Sequence, residues 1–326
     1  MGNYHRLWKY CGEKEIKDML LSFHLLGCTD WADEKILACL YALSNHPQEH
    51  YRQVRIPKRT GGYRTLHVPD PLLKKVQRNI LHHVLRGFSP SQASKAYEKG
   101  SSAVSNAVVH TGKPIVLKLD IHDFFGNITF PMVLHHAFPG QYFPVPVGTM
   151  LTSLCCLRER LPQGAPTSPA ISNLVMKSFD EYMAHWCGQR GITYSRYSDD
   201  MTFSGDFDTD AVRCKTENFL SAYGLELNRE KTRRCGRGTR QCVTGIVVND
   251  KVQLPKDYRK RLRQEIYYCR AYGVDDHLRR KDREPREAGA YLESLLGKVS
   301  YLLSVNPEDL WFQEAQKFLR EERRRI

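Results

Sequence analysis

Two adjacent carboxylates, Asp199 and Asp200, sit inside the stretch TYSRYSDDMTF (193–203), where apolar or aromatic residues recur on both sides of a Ser-Asp-Asp turn. That alternation reads as a tight β-hairpin carrying acids at its tip. Adjacent carboxylates repel each other unless solvent, a basic partner or a cation compensates, and hard oxygen ligands held on a hairpin suit Mg²⁺. A solvated turn accounts for the same residues, since aspartate is common in loops. A third carboxylate, Asp120, closes the apolar run PIVLKL (114–119). Burying a lone carboxylate is costly, whereas an acid at a strand end can face a cleft and bind metal. The alternative is that Asp120 caps the turn or helix that follows. Asp123, Phe124 and Phe125 follow three to five residues later, adding a carboxylate and two aromatics. The three acids share one site if the strand and the hairpin are neighbours in one antiparallel sheet.

The elements that would position these acids can be read around them. Residues 1 to about 50 carry two helical patterns, with Ile16, Met19, Leu20 and Phe23 on one face and Ile36, Leu37, Leu40 and Tyr41 on another. In YRQVRIPKRTGGYRTLHVPD (51–70) two alternating runs flank Thr60-Gly61-Gly62, which predicts a hairpin. Lys58, Arg59 and Arg64 surround its tip, a group that could grip a triphosphate or simply form a solvated basic turn. A helix is expected over 69–86 and a short one in SSAVSNAVVH (101–110). Residues 130–160 are irregular, apart from a helical pattern over 150–157. LPQGAPTSP (161–169) reads as a loop entering a helix at Ser168, with Pro169 in its first turn. Such a junction exposes backbone N–H groups where a nucleotide could lie, or is an ordinary helix start. Beyond the acidic hairpin come a helix (209–223), GLELNREKT, an Arg-rich loop RRCGRGTRQ (233–241) and a hairpin from VTGIVVN into KVQLP. A basic helix follows Pro255, with Lys256, Arg259, Lys260, Arg261 and Arg263 near its start, then two apolar helices around 291–303 and 310–319. The last residues, REERRRI, read as a frayed end.

Composition bounds the possibilities. The 326 residues are 41% hydrophobic and 26% charged, ordinary for a globular protein large enough for more than one subdomain. Against 36 acidic residues stand 49 basic ones, a net charge of +13 that suits a polyanion, nucleic acid first. No apolar run is long enough to span a bilayer and the N-terminus lacks a signal-peptide core, so no membrane partner is expected and the cytoplasm is the expected location. The ten cysteines are scattered without zinc spacing, which argues for reduced, buried thiols.

The order of these pieces resembles the reverse transcriptases from about Arg55 to Val248. VLKLDIHDFF is similar to the family's first palm motif, LPQGAPTSP to its template and nucleotide motif, and YSDD to its metal hairpin. Ser198 stands where many members carry alanine. Within the family, Asn106-Ala107-Val108-Val109-His110 resembles the N-A-x-x-H element of the bacterial retron enzymes and Val243-Thr244-Gly245 their V-T-G element. The resemblance implies an α+β right-hand polymerase: an N-terminal helical extension (1–50), fingers and palm with an antiparallel sheet packed by helices (51–250), and a small basic helical thumb (251–326). It implies RNA-directed DNA polymerisation with two Mg²⁺ ions held by Asp120, Asp199 and Asp200, stabilising the attacking and leaving oxygens. Lys58, Arg64, Asp123, Phe125, Gln163 and Lys231 would contact the dNTP, Phe125 as the aromatic gate that excludes a 2′-hydroxyl. Asn106, His110, Val243, Thr244, Gly245, Lys256, Arg259, Lys260 and Arg263 would contact nucleic acid. The implied partners are a cognate structured noncoding RNA, its RNA-linked single-stranded DNA product primed from a guanosine 2′-hydroxyl, and an accessory effector in anti-phage defence. Other bacterial reverse transcriptases (diversity-generating, abortive-infection or group II intron-like) and a non-catalytic RNA-binding protein of the same fold are the alternatives.

Overall fold

The elements form largely where periodicity and capping place them in the computed structural model, which describes residues 8, 10–58, 61–282 and 284–326. Arg59, expected at the tip of the basic hairpin, lies outside the described residues, as does Thr60. Helices α1 (Glu13–Ser22) and α2 (Asp33–Asn45) turn Leu20, Leu37, Leu40 and Leu43 inward. Strands β1 (Tyr51–Pro57) and β2 (Tyr63–Pro69) pair antiparallel from Tyr51↔Pro69 to Pro57↔Tyr63 as a two-stranded ribbon. Helix α3 (Pro71–Asn79) starts on Asp70, whose Oδ1 accepts the Leu73 N–H at 2.8 Å. It runs on through a π turn, Ile80–Val84, and a 3₁₀ turn, Leu85–Gly87.

Next come α4 (Ala103–Val108), β3 (Ile115–Asp120), α5 (Phe124–Asn127), α6 (Phe130–Ala137) and α7 (Val145–Cys155). Helices α8 (Ser168–Val175) and α9 (Lys177–Gly188) divide at Met176 what reads in the sequence as one helix. The acidic hairpin is β4 (Thr193–Tyr197) and β5 (Asp200–Gly205), followed by α10 (Thr209–Ala222). The Arg-rich segment is not all loop: Arg233–Gly236 is a strand, β6. The V-T-G element forms its own hairpin, β7 (Cys242–Val243) and β8 (Ile246–Val247), turning on Thr244-Gly245, while Val247 also bridges Gln253. Helices α11 (Lys256–Tyr272), α12 (Val274–Arg279), α13 (Ala288–Val305) and α14 (Leu310–Arg325) complete the chain. The expected frayed end is instead helical to Arg325: α14 buries Phe312, Ala315 and Leu319, and Arg323 ion-pairs with Glu293 of α13 at 2.8 Å.

Four strands make one antiparallel sheet in the order β4-β5-β3-β6. Side chains alternate across β3, and its two faces serve two cores. Leu117 and Leu119 join a large core with Leu20, Leu40, Leu73, Leu151, Val175 and Phe203. Val116 joins a second core with Ala107, Val243, Ile246, Ile266, Leu295 and Phe312. The sheet's β4 edge is covered by the segment 93–95: Arg196 N–H donates to the Ala93 carbonyl at 2.9 Å, and Lys95 N–H to the Arg196 carbonyl at 2.7 Å. Among the described residues no helix is long and apolar enough to cross a membrane.

Candidate active site

Register creates the site. Asp120 ends β3 directly opposite Asp200, the first residue of β5, and Tyr197 pairs with Asp200 across a two-residue turn, Ser198-Asp199. Ser198 takes φ 61°, the positive value that the first position of a tight hairpin turn of the II′ kind requires. A non-glycine residue there needs support, and two contacts supply it. The Tyr97 hydroxyl donates to Ser198 Oγ at 2.8 Å, and Arg196 Nη1 donates to the Ser198 carbonyl at 2.8 Å. Alanine at this position could not accept the first of these bonds.

Arg196 is fully buried, as is its partner Asp180 on α9. Arg196 Nη2 reaches Asp180 Oδ2 at 2.6 Å, Arg196 Nε reaches Asp180 Oδ1 at 2.9 Å, and the Tyr194 hydroxyl donates to the same Oδ1 at 2.8 Å. Asn173 on α8 accepts from Arg196 and Ser94 and donates to the Ala96 carbonyl. The turn is thus tied to two helices and to the edge-covering segment through one guanidinium.

The three aspartates open into a cavity of about 670 Å³, whose lining also includes Lys58, Arg64, Asp123, Phe125, Gln163 and Lys231. Every residue that the sequence assigns to metal or dNTP, apart from those outside the described residues, lines this one space. Lys58 and Arg64 come from the two sides of the β1–β2 tip, held against the Gln163 loop by the His67 N–H, which donates to the Gln163 carbonyl at 2.8 Å. Gly164 makes that approach possible. Its φ is 121°, and a Cβ there would lie 2.9 Å from the His67 carbonyl oxygen. Phe125 packs against buried Phe124 with ring centroids 5.4 Å apart.

Charge in the cavity is partly balanced from within. Lys231 Nζ hydrogen bonds both Asp120 oxygens at 2.9 Å, so Asp120 is an ion-pair partner here rather than a helix cap. Burial raises the Asp120 pKa above the ordinary carboxylate value, Lys231 opposes that rise and the charge of Asp199 adds to it. Asp200 is raised as well, first by burial, then by the neighbouring Asp199 and Asp120, with Lys118 acting in the opposite direction. Burial alone would lower the Lys231 pKa, but its bond to Asp120 and the three acidic charges carry it above the usual lysine value. Lys118, the single charged interruption in the β3 run, carries no motif that marks it in the sequence; here its charge opposes the rise at Asp200. Among the described residues, no three His, Cys, Asp or Glu side chains are gathered into a ready-made metal cage. The donor chemistry nevertheless fits a hard divalent cation: two carboxylates raised by burial and mutual repulsion, with a third beside them, form a cluster short of positive charge.

The residues expected to touch nucleic acid divide differently. Asn106, His110 and Val243 are at most 1% exposed, so their side chains cannot reach a polymer, and that expectation is corrected. His110 Nδ1 lies 2.7 Å from Ser204 Oγ and Nε2 lies 2.7 Å from Ser195 Oγ, while Ser195 Oγ donates to Asn106 Oδ1 at 2.6 Å. With the Ser195 proton directed to Asn106, His110 donates from Nε2 and accepts at Nδ1, a neutral imidazole. Thr244 Oγ1 donates to the Ala103 carbonyl at 2.8 Å, and only the Thr244-Gly245 turn is reachable. N-A-x-x-H therefore bolts α4 to the back of the palm strands β4 and β5. Lys256 and Lys260 are exposed. Arg263 is already engaged by Asp309 at 3.7 Å and lies over the Trp311 ring.

A sheet whose register gathers three carboxylates beneath a basic ribbon and a Gln-Gly loop is a nucleotide-polymerising palm. Residues 56–257 match the family model described as reverse transcriptase (RNA-dependent DNA polymerase), and the chain belongs to that family. It is an RNA-directed DNA polymerase of α+β fold, and the family depends on divalent metal. It is 34% identical over 315 residues to the retron Mx65 reverse transcriptase of Myxococcus xanthus, across 86% of this chain and 70% of that one. It is 32% identical over 221 residues to the retron Ec86 reverse transcriptase of Escherichia coli, across 66% and 69%. Within the family the chain is of the retron type, with RNA as its template partner. Among solved structures, apo telomerase from Candida tropicalis aligns with a TM-score of 0.47 at 11% identity, covering 84% of this chain and 58% of that one.

Proposed function

We propose that this enzyme copies part of its own structured noncoding RNA into single-stranded DNA that stays joined to the RNA, starting from a guanosine 2′-hydroxyl. It works in the cytoplasm, with an accessory effector, in defence against phage. The observation that carries the catalytic part is the register placing Asp120 opposite Asp200 with Asp199 in the adjoining turn, in one cavity with the basic ribbon tip. The retron relatives support the finer part.

Asp120, Asp199 and Asp200 would hold Mg²⁺, which supplies a lowered pKa for the attacking hydroxyl and stabilisation of the attacking and leaving oxygens. Lys58 and Arg64 bind the triphosphate from the ribbon tip, and Gln163 meets the incoming nucleotide from the opposite wall. Phe125, its ring braced by Phe124, fills the space beside C2′ and leaves no room for a 2′-hydroxyl. Asp123 lines the same wall. Lys231 neutralises Asp120 before substrate arrives and lies within the cavity from which pyrophosphate departs. The exposed Lys256, Lys260 and the Thr244-Gly245 turn meet the nucleic acid along the thumb, in the division of fingers and palm over 51–250 and thumb over 251–326.

Primer extension on an RNA template with Mg²⁺ and dNTPs tests the catalytic reading. Asp199→Asn with Asp200→Asn is expected to lower extension by about 10³-fold or more; retained activity would remove these residues from the chemistry. Sequencing of the copurifying nucleic acid tests the retron part, with a 2′–5′ RNA–DNA junction expected and unrelated host RNA alone counting against it.

A further inference from the structure

The acidic turn carries a hydroxyl that the protein orients but does not consume. Ser198 Oγ accepts from the Tyr97 hydroxyl at 2.8 Å. A serine hydroxyl holds one proton and two lone pairs, so with Tyr97 donating into one lone pair the proton is left to be matched. Among the described residues, Ser198 Oγ donates to no protein acceptor. Ser198 is only 7% exposed, yet it lines the cavity of the three aspartates, so an acceptor for this proton has to enter from that cavity. A nearly buried donor left unmatched is unfavourable, which favours a ligand that accepts from it.

Tyr97 is held so as to aim this proton. It takes φ 67°, in the left-handed region that aromatic residues avoid, and such a conformation persists only where its surroundings fix it. The flanking backbone does so: Lys95 N–H donates to the Arg196 carbonyl at 2.7 Å, and Asn173 Nδ2 to the Ala96 carbonyl at 2.9 Å. Burial raises the Tyr97 phenol, its bond to Ser198 opposes that rise and the charge of Asp199 adds to it, so the hydroxyl keeps its proton and donates. Donation from Tyr97 polarises the Ser198 hydroxyl and makes it a stronger donor in turn.

The cavity limits what can accept. Lys58, Arg64, Gln163 and Phe125 take the incoming nucleotide in the reading above, which leaves the turn and Tyr97 to the nucleotide that carries the attacking hydroxyl. Ser198 directly precedes Asp199, with Cα atoms about 3.8 Å apart. A sugar whose hydroxyl attacks at the aspartates therefore presents its neighbouring oxygen to Ser198. Beside an attacking 2′-hydroxyl that neighbour is the 3′-oxygen, and beside an attacking 3′-hydroxyl it is the 2′-oxygen. Only a ribose has both.

We propose that Ser198, oriented by Tyr97, donates to the hydroxyl beside the attacking one on a ribonucleotide primer terminus, and so favours starting on RNA over continuing on DNA. The proposal rests on the polymerase reading of the site. One sugar feature then separates the two reacting nucleotides: a ribose is refused beside Phe125 and held beside Ser198. The test compares two primers on one RNA template, identical except that the terminal sugar is ribose or 2′-deoxyribose. Single-nucleotide addition by the full chain with Mg²⁺ gives the ribose-to-deoxyribose ratio of kcat/KM, and fluorescence polarisation without dNTPs gives the ratio of affinities. Ratios are read because a loosened turn lowers both primers alike and cancels. Ser198→Ala is expected to lower the kcat/KM ratio about 3- to 10-fold, the loss of one hydrogen bond, and the affinity ratio should fall with it. Tyr97→Phe, which keeps the ring, should lower the kcat/KM ratio about 2- to 3-fold. The double variant should match Ser198→Ala alone, because the two hydroxyls act in series. Ratios in Ser198→Ala equal to the parent's, or losses that add in the double variant, would overturn the proposal. A parent protein that extends neither primer would strike the polymerase reading instead, and the affinity ratio would still decide whether Ser198 holds the ribose.

Discussion

The Gln163–Gly164 pair shows how a single glycine shapes the wall of the candidate site without bearing a side chain of its own. Gln163 can face the cavity because its carbonyl accepts from His67 of β2, and the two backbones come that close only because Gly164 has no side chain and takes φ 121°. In Gly164→Ala the added Cβ meets a backbone oxygen that cannot swing away, in a conformation that L residues avoid. The loop must retreat from the ribbon, at a cost of about 1–3 kcal/mol. The expected kinetic signature is a higher KM for dNTP with a smaller change in kcat, since Gln163 and the ribbon tip are displaced together while the aspartates stay; steady-state primer extension measures both. Gly164 was legible as part of a loop, but its contact with His67 was not, because nothing in the spacing says which strand lies behind the loop.

At the scale of the element, the acidic hairpin is a two-residue turn whose geometry is imposed from behind. Arg196 hydrogen bonds the turn carbonyl and Asp180 neutralises Arg196, all without exposure to water. Replacing Arg196 with methionine leaves Asp180 as a buried uncompensated charge, with an expected loss of about 3–5 kcal/mol in stability. The double variant Arg196→Met, Asp180→Leu removes both charges and should recover much of that loss in denaturant unfolding, while primer extension stays low because the Ser198 carbonyl remains unheld. The hairpin itself was readable from alternation around Ser-Asp-Asp, and Asp120 from the apolar run before it. Arg196 and Asp180 were not, because a charged residue on a short strand and one on a helix read as solvated faces. Strand β6 is hidden for a related reason: its arginines read as loop, yet Arg233 and Arg234 pair with Lys118 and Leu117 at the open edge of the sheet. The break at Met176 likewise leaves no mark in a continuous apolar pattern.

Across the whole molecule, the two cores meet at α4. Ala107 lies in the second core, while Asn106 and His110 reach the palm strands of the first. Burial, aided by the nearby Lys113, lowers the His110 pKa from 6.5 to about 4. The unfolded chain therefore takes up this proton before the folded one. The stabilising contribution is complete above pH 6.5 and is lost as pH falls toward 4, to a total of about 3 kcal/mol. In His110→Gln, unfolding free energy measured by denaturant between pH 7 and 4 should lose that part of its slope. A slope equal to the parent's would place the acid sensitivity elsewhere. The N-A-x-x-H element is recognisable as a pattern, but Asn106 and His110, expected to face nucleic acid, are buried in a hydrogen-bond network. Polar residues inside a hydrogen-bond network and polar residues facing a polymer are indistinguishable until burial is known.

The segment 93–95 that supports the acidic turn also closes a strand edge. Without it, β4 would present unpaired N–H and C=O groups from a largely buried strand, the kind of border at which separate molecules add to one another's sheets. A mutation that loosens this strap would do more than disturb Tyr97 and Ser198. It would convert an enzyme defect into a tendency to aggregate, so that lost activity and lost solubility arise from the same few hydrogen bonds.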